Sequence, residues 1–282
     1  MKISLIGYGK MGQTIEKQAL AAGHEVVLKI TIDNQEDLTA ENLRRADVAI
    51  EFTTPESAFD NISLCLRSGV PVVCGTTGWL NRLDEVKKLC HETGGAFFHS
   101  ANFSIGVNLF FAVNRYLAAL MNNHSEYEPT LEEIHHTQKL DAPSGTAIAL
   151  AQGILDNLSR KKKWVNALAI SSPPLDIGVG DLMVENGQAS TLENSSAQAK
   201  NQAGSGKKVK HNKAGEEDLL IVSKRIETVP GTHTVAWVSE NDTIEIKHTA
   251  HSREGFAAGA LAAAVWLVGK KGCFEMKDLL QI

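Results

Sequence analysis

Ile3-Ser4-Leu5-Ile6-Gly7-Tyr8-Gly9-Lys10-Met11-Gly12 is the stretch that decides the fold. Its first four residues read as a short buried strand, and the glycines follow at once in a G-x-G-x-x-G pattern. Residues 13–22 then have helical character and stop at Gly23, and residues 26–32 form a second β-rich run ending at Asp33. Strand, glycine loop, helix, strand and acid, in that order, describe a unit that seats a dinucleotide. The glycines let the chain turn tightly and let the backbone approach a pyrophosphate, while the helix start offers N–H groups and the positive end of its dipole. Gly7, Tyr8, Gly9, Lys10, Met11 and Gly12 are therefore candidate cofactor residues. Asp33 lies about 20 residues beyond the loop, where a carboxylate can accept from both ribose hydroxyls and would repel a 2′-phosphate. That favours NADH; Lys10 could reach a 2′-phosphate, which keeps NADPH open.

The alternation continues outward. Residues 47–52 read as a strand running into Thr53-Thr54-Pro55, and residues 55–68 as a helix with Ala58, Ile62, Cys65 and Leu66 on one face. Residues 70–74 read as a strand broken by Gly75-Thr76-Thr77-Gly78, and residues 81–93 as a helix closed by Gly94-Gly95. Residues 96–99 form a further strand that leads into Ser100-Ala101-Asn102-Phe103. This argues an α/β class protein with a doubly wound parallel sheet, a Rossmann-type domain. Ligands of such sheets bind beyond the carboxyl ends of the strands, which makes Gly75, Thr76, Thr77, Ser100, Ala101, Asn102 and Phe103 natural neighbours for a nicotinamide ring.

Downstream, the chemistry concentrates in His135-His136-Thr137-Gln138-Lys139-Leu140-Asp141-Ala142-Pro143-Ser144-Gly145-Thr146. Residues 106–121 read as a helix and residues 128–134 as a strand that delivers His135. Pro143 stops any helical continuation, and Ser144 is a good N-cap for a helix over 145–159 whose buried face is Ile148, Ala151, Ile154, Leu155 and Leu158. Gly145 and Thr146 occupy the first turn, where N–H groups lack intrahelical partners and a substrate carboxylate can take their place. Two imidazoles and an ammonium beside such a turn suit a small anionic substrate that must receive a proton. Adjacent histidines on a strand point to opposite sides, so His135 and His136 do not share an ion, and no metal is expected.

Glu133-Ile134-His135-His136-Thr137-Gln138-Lys139-Leu140-Asp141-Ala142-Pro143-Ser144-Gly145-Thr146-Ala147 resembles the E-x-H-H-x-x-K-x-D-A-P-S-G-T-A signature of the dihydrodipicolinate reductase family, more fully 4-hydroxy-tetrahydrodipicolinate reductase. Gly75-Thr76-Thr77-Gly78, Ala101-Asn102-Phe103-Ser104-Ile105-Gly106-Val107-Asn108 and His248-Thr249-Ala250-His251-Ser252-Arg253 are similar to its other motifs, in family order. The first loop is one residue tighter than the G-x-x-G-x-M-G that the family commonly writes. The resemblance implies that His135 is the proton donor or acceptor and Lys139 the second proton donor. It implies that His136, Gly145 and Thr146 bind substrate carboxylate with Arg253 near the substrate, and that the dinucleotide, NADH or NADPH, is held at residues 7–12, Asp33, 75–77 and 100–103. The implied reaction is reduction of a cyclic imine dicarboxylate in the diaminopimelate route to lysine, and the implied assembly is a homotetramer.

The bulk numbers agree with an ordinary enzyme. A chain of 282 residues with 43% hydrophobic content can bury a real core in one or two domains. A net charge of −5 offers no basic field to nucleic acid. Cys65, Cys74, Cys90 and Cys273 show no CxxC pairing, as expected of reduced thiols in a cytoplasmic protein. The longest apolar run, 260–268, is about half of the roughly 20 residues a membrane span needs. The expected organisation is a nucleotide domain over 1–103, completed by 249–282, and an α+β substrate-binding and oligomerisation domain over 104–248 with a mixed sheet. Within it, 161–215 reads as a mobile surface insertion, and 218–223, 232–238 and 243–248 as antiparallel strands. Residues 252–268 read as an Ala-rich helix returning to the nucleotide domain. Two competing readings are an amino-acid or semialdehyde dehydrogenase, which would lack the linked H-H-x-x-K and P-S-G-T, and a non-catalytic NAD(H)-sensing regulator, which would need a DNA-binding element that the sequence does not show.

Overall fold

The computed structural model describes residues 1–169, 184–185, 215–252 and 254–282. The chain runs β1 (Lys2–Ile6), α1 (Lys10–Ala21), β2 (Glu25–Ile30), α2 (Ala40–Leu43), β3 (Val48–Glu51), α3 (Pro55–Arg67), β4 (Val72–Cys74), α4 (Leu83–Thr93), β5 (Ala96–His99) and α5 (Ile105–Met121). It continues through β6 (Glu128–His135), α6 (Gly145–Leu155), β7 (Lys163–Ala169), β8 (Val184–Glu185), β9 (Asp218–Arg225), β10 (Gly231–Val238) and β11 (Thr243–Ala250). It ends with α7 (Glu254–Leu267), β12 (Gly272–Phe274) and α8 (Met276–Leu280). Two compact units result, one of Met1–Leu109 with Ser252–Ile282 and one of Phe110–His251.

The first unit is built on a parallel sheet in the order β12-β5-β4-β3-β1-β2. Its strands are short and apolar on both sides because helices cover both faces. Successive residues divide accordingly. Ile3, Leu5, Val48, Ile50, Val73 and Phe98 pack toward Ile15, Ala19, Ala260 and Leu267 of α1 and α7. Ile6, Ala49, Val72, Cys74 and Phe97 pack toward Ala58, Ile62, Leu66, Val86 and Cys90 of α3 and α4. The strand order reverses between β1 and β3, which makes the carboxyl edge there the switch point of the sheet. Helix α7 lies close because its contact residues are small. Ala257, Ala260, Ala263 and Ala264 are fully buried, and a Cβ on Gly259 would come within 1.7 Å of the Phe103 carbonyl oxygen. Strand β12 adds a sixth strand beside β5; three residues are too few to announce themselves by periodicity.

The second unit carries a mixed sheet in the order β11-β10-β6-β9-β7-β8. Leu131, Ile221, Val235 and Trp237 on its inner face pack on Phe110, Ala118 and Met121 of α5 and on Ala147, Leu150, Ala151 and Ile154 of α6. Three expectations are corrected. Residues 218–223 do not run antiparallel to their neighbours, for β9 pairs parallel with both β6 and β7. The insertion does not begin at 161, because 163–169 is an interior strand of the sheet. Its buried Asn166 accepts a hydrogen bond from Ser223 Oγ at 2.9 Å, and a polar residue at a buried position hides the strand from a hydropathy reading. Residues 170–183 and 186–214 of that stretch lie outside the described residues. Helix α6 ends at Leu155, not 159, where the Asn157 side chain donates to the Gly153 carbonyl and competes with helix continuation. Its buried face is Ala147, Leu150, Ala151 and Ile154, and Ile148 is 38% exposed. Among the described residues no helix is long and apolar enough to cross a membrane.

Replacing Gly259 by alanine should cost about 3 kcal/mol of stability, because the methyl group cannot fit without moving α7 off the sheet. A urea unfolding midpoint indistinguishable from that of the unaltered protein would show that α7 yields more easily than this packing implies.

Candidate active site

At the carboxyl edge of the first sheet, Gly7 adopts φ +93° and passes so close to the neighbouring strand end that a Cβ would sit 1.9 Å from the Phe52 carbonyl oxygen. The Gly7 and Tyr8 amides both donate to Ile30 O, at 3.0 and 2.8 Å, which fastens the loop to β2. Gly12 is the spacer beneath it, since a Cβ there would lie 2.6 Å from Gly7 O. Gly9 caps α1 with no side-chain hydrogen bond and with open space in front of it, so the first N–H groups of α1 are free of a protein cap. That geometry fits a pyrophosphate.

Two cavities share Gly7, Gly9, Phe52 and Thr53. One, of about 600 Å³, extends over Tyr8, Thr31, Ile32 and Gln35; the other, of about 370 Å³, extends over Lys10, Met11, Gly75, Thr76 and Thr77. Asp33 is exposed and lies outside both linings. Its neighbour Asn34 closes the turn after β2 by accepting from the Thr31 amide and hydroxyl at 2.7 and 2.9 Å, so Thr31, Ile32 and Gln35 face the larger cavity. Ser100, Ala101 and Asn102 also lie outside the linings. Ser100 and Asn102 bond to one another, and the Asn108 side chain donates through Nδ2 to Asn102 O at 2.8 Å. Phe103 is buried between Phe52 and Phe98, with ring centroids 5.8 and 5.9 Å away. Sequence reading passed over Phe52 and Thr53. Their position past the end of β3, at the switch point, was the available signal. The Thr53 amide donates to Thr76 Oγ1 at 2.7 Å, which ties the two loops together.

In the second unit, β6 alternates so that Leu131, Glu133 and His135 point inward. Glu133 has no exposed surface. Its two oxygens each lie 3.1 Å from the Ser144 amide, Oε1 lies 3.2 Å from Arg225 Nη2, and Oε2 lies 3.2 Å from His135 Nδ1. The His135 contact falls outside hydrogen-bond geometry, so it is an electrostatic one. Burial works against ionisation of Glu133, yet the neighbouring His135 and Ser144 outweigh it and hold the carboxyl well below the usual carboxylate range. His233, opposite Glu133 on β10, sets its ring edge-on to His135 at 5.1 Å and its Nε2 3.1 Å from Ser144 Oγ. Burial first, and then the neighbouring His135, push His233 down to about 4.

The loop after β6 carries Lys139, half-buried, with Nζ 2.8 Å from both oxygens of Asp141. Ser144 caps α6 as expected, its Oγ accepting from the Ala147 amide at 3.2 Å. Gly145 is exposed with open space around it, and Thr146 is half-buried. His136 is half-buried and follows His135 at the strand end. Arg253 lies outside the described residues. The structure thus gathers His135, the Lys139 loop and the start of α6 around Glu133. Glu133, His135 and His233 offer donor atoms within 4.8 Å of one another. The carboxylate is already engaged by Arg225 and by the Ser144 amide, so the trio fits a charge network better than an ion. Sequence reading gave Glu133 no role and did not single out Arg225 or His233. An acid on the buried alternation of a strand calls for a cation, but Arg225 stands 92 positions away and only the sheet brings it there.

A Rossmann-type unit with a glycine loop, joined in one chain to a unit presenting a histidine and a lysine before a capped helix, is the construction of a pyridine-nucleotide-dependent reductase. Residues 1–103 match the family model described as dihydrodipicolinate reductase, N-terminus, and residues 106–280 match dihydrodipicolinate reductase, C-terminus. The chain is 42% identical over 281 residues to 4-hydroxy-tetrahydrodipicolinate reductase of Christiangramia forsetii, covering 99% of this chain and 98% of that one. It is 31% identical over 265 residues to the protein of the same name from Neisseria gonorrhoeae, covering 94% and 83%. Among solved structures it resembles a dipicolinate-bound dihydrodipicolinate reductase from Paenisporosarcina sp. TG-14, with a TM-score of 0.68 and 20% identity over 99% of this chain and 98% of that one. The chain belongs to the dihydrodipicolinate reductase family.

The depressed His233 has a consequence for stability. Unfolding releases it to about 6.5, so as pH falls below that value the unfolded chain takes up a proton that the folded chain refuses until about 4. Stability should therefore fall by up to about 3 kcal/mol between these pH values, and His233→Asn should flatten the loss. Parallel acid slopes in urea unfolding of the two proteins would contradict this.

Proposed function

We propose that this chain reduces 4-hydroxy-tetrahydrodipicolinate to tetrahydrodipicolinate with a reduced pyridine nucleotide and loss of water, in the diaminopimelate route of lysine biosynthesis. The observation that carries the reading is the gathering of His135, the Lys139 loop and the Ser144-capped helix start around one buried carboxylate. The first unit holds the dinucleotide, with Gly7, Tyr8, Gly9, Lys10 and Met11 at the pyrophosphate and Gly75, Thr76 and Thr77 toward the nicotinamide. Gly12 supports the loop, and Ser100, Ala101, Asn102 and Phe103 form the neighbouring wall. The nucleotide supplies the hydride.

Hydride addition to a conjugated imine pushes electron density onto the ring, so a cation and a proton source must stand close to it. Lys139 supplies both, with Asp141 holding its ammonium in place. His135 gives or takes the second proton. His136, Gly145 and Thr146 bind a substrate carboxylate, aided by the dipole of α6, and Arg253 binds nearby. NADH serves at least as well as NADPH, supported by Asp33 beyond β2 and by the lack of a cation among Thr31, Ile32 and Gln35. The protein works in the cytoplasm as a homotetramer, without nucleic acid or membrane partners. Its net charge of −5 and the exposed apolar residues Val238 and Ile244 of the mixed sheet support that reading.

Lys139→Ala should lower kcat by roughly 10²-fold or more, the usual effect of losing a positioned acid. Steady-state oxidation of NADH with freshly prepared substrate measures this, and unchanged turnover would remove Lys139 from the chemistry. In the same assay kcat/KM for NADH should equal or exceed that for NADPH; a large NADPH advantage would mean that Lys10 outweighs Asp33.

A further inference from the structure

Arg225 ends β9 as the register partner of His135, and its side chain is almost fully buried. Its donors go to four acceptors. Nη2 reaches Glu133 Oε1 at 3.2 Å and the Asp141 carbonyl at 2.6 Å, Nε reaches the Lys139 carbonyl at 3.3 Å, and Nη1 reaches the Lys224 carbonyl at 2.8 Å. The loop from 136 to 143 has little else to hold it. Among the described residues its own backbone contributes one turn bond, Lys139 N to His136 O at 3.1 Å. The carbonyls on either side of Leu140 are therefore fixed from outside, by one guanidinium.

We propose that Arg225 is a positioning residue of the proton-transfer machinery: it pins the Lys139–Asp141 loop to Glu133 and shares Glu133 with His135. This rests on the reductase reading of the same site. Two consequences are built into the geometry. The first is mechanical. The guanidinium fork sets where the Lys139 backbone lies relative to His135, and a single ammonium cannot reach the same acceptors. The second is electrostatic. Glu133 faces one permanent cation, Arg225, and one titratable ring, His135, at the same 3.2 Å. The other groups of this network are His233 on β10, edge-on to His135, with its register partner His248 on β11, the neutral Ser144 bonded to His233 at the start of α6, and the Lys139–Asp141 pair in the loop. Removing Glu133 strips His135 of the anion that favours its protonated form. Removing Arg225 does the reverse, because the repulsion goes and the whole carboxylate turns to the ring.

The test compares Arg225→Met, Arg225→Lys and Glu133→Gln. In Arg225→Met, kcat should fall about 10²-fold, as expected when a reacting group is displaced by an ångström, while KM for the nucleotide holds. Arg225→Lys should recover the pH–rate profile but leave kcat about tenfold low, since charge returns without the fork. The basic limb of the profile should move by about one pH unit, downward in Glu133→Gln and upward in Arg225→Met. A purely structural role would not produce opposite shifts. Hydrogen exchange gives a readout independent of turnover: amides across 136–146 should exchange faster in Arg225→Met while those of β10 and α5 do not. Unchanged exchange in that loop, or profile shifts of the same sign, would overturn the proposal. If the unaltered protein oxidised neither nucleotide with this substrate, the reductase reading would fall, and the exchange result would still decide the role of Arg225.

Discussion

A carboxylate with no exposed surface has to be neutralised where it stands, and in this protein that carboxylate is Glu133. Taking such a group out of water costs several kcal/mol, and leaving it unpaired costs about 3–5 kcal/mol more than the paired state. Every contact that offsets the cost also ties a separate element to the strand. Ser144 donates its amide and begins the helix with free N–H groups; Arg225 brings the loop carbonyls; His135 brings an imidazole. One anion therefore holds an imidazole, a loop and the start of a helix at once. The neighbouring His233, kept neutral by burial, closes the network through Ser144 without adding a competing charge at ordinary pH.

The nucleotide unit solves a different problem with backbone alone. Short strands covered on both faces leave no room for side chains to vary, so variation is confined to the loops at the carboxyl edge. There Gly7 approaches Phe52 more closely than any side chain would allow, and α1 begins with no protein cap. The consequence is a recess with uncapped N–H groups at its glycine loop, suited to a ligand that carries phosphate. Small residues recur where α7 closes on the Phe103 carbonyl, so the terminal segment of the chain seals the same unit that its first residues open.

Much of this was legible in the residues. Ile3 to Gly12 announces its strand, turn and helix because every signal lies within one turn or strand of the next. His135, Lys139 and Ser144 likewise declare themselves because acid, loop and cap are contiguous. The illegible parts share a cause. Asn166 breaks the apolar run that would have marked β7, and Gly272–Phe274 is too short for any period to show. The parallel direction of β9 depends on what pairs with it, which no local pattern records.

By itself the sequence determined the alternation of strand and helix, the glycine loop, the acid-bearing motif and the family to which they belong. These are local, and local sterics and capping decide them. The tertiary structure alone decided which cation meets Glu133, which face His233 joins and which loops line the cavities. Those are contacts across sheet registers between residues as far apart as Glu133 and Arg225, and a chain brings such residues together only when its core packs.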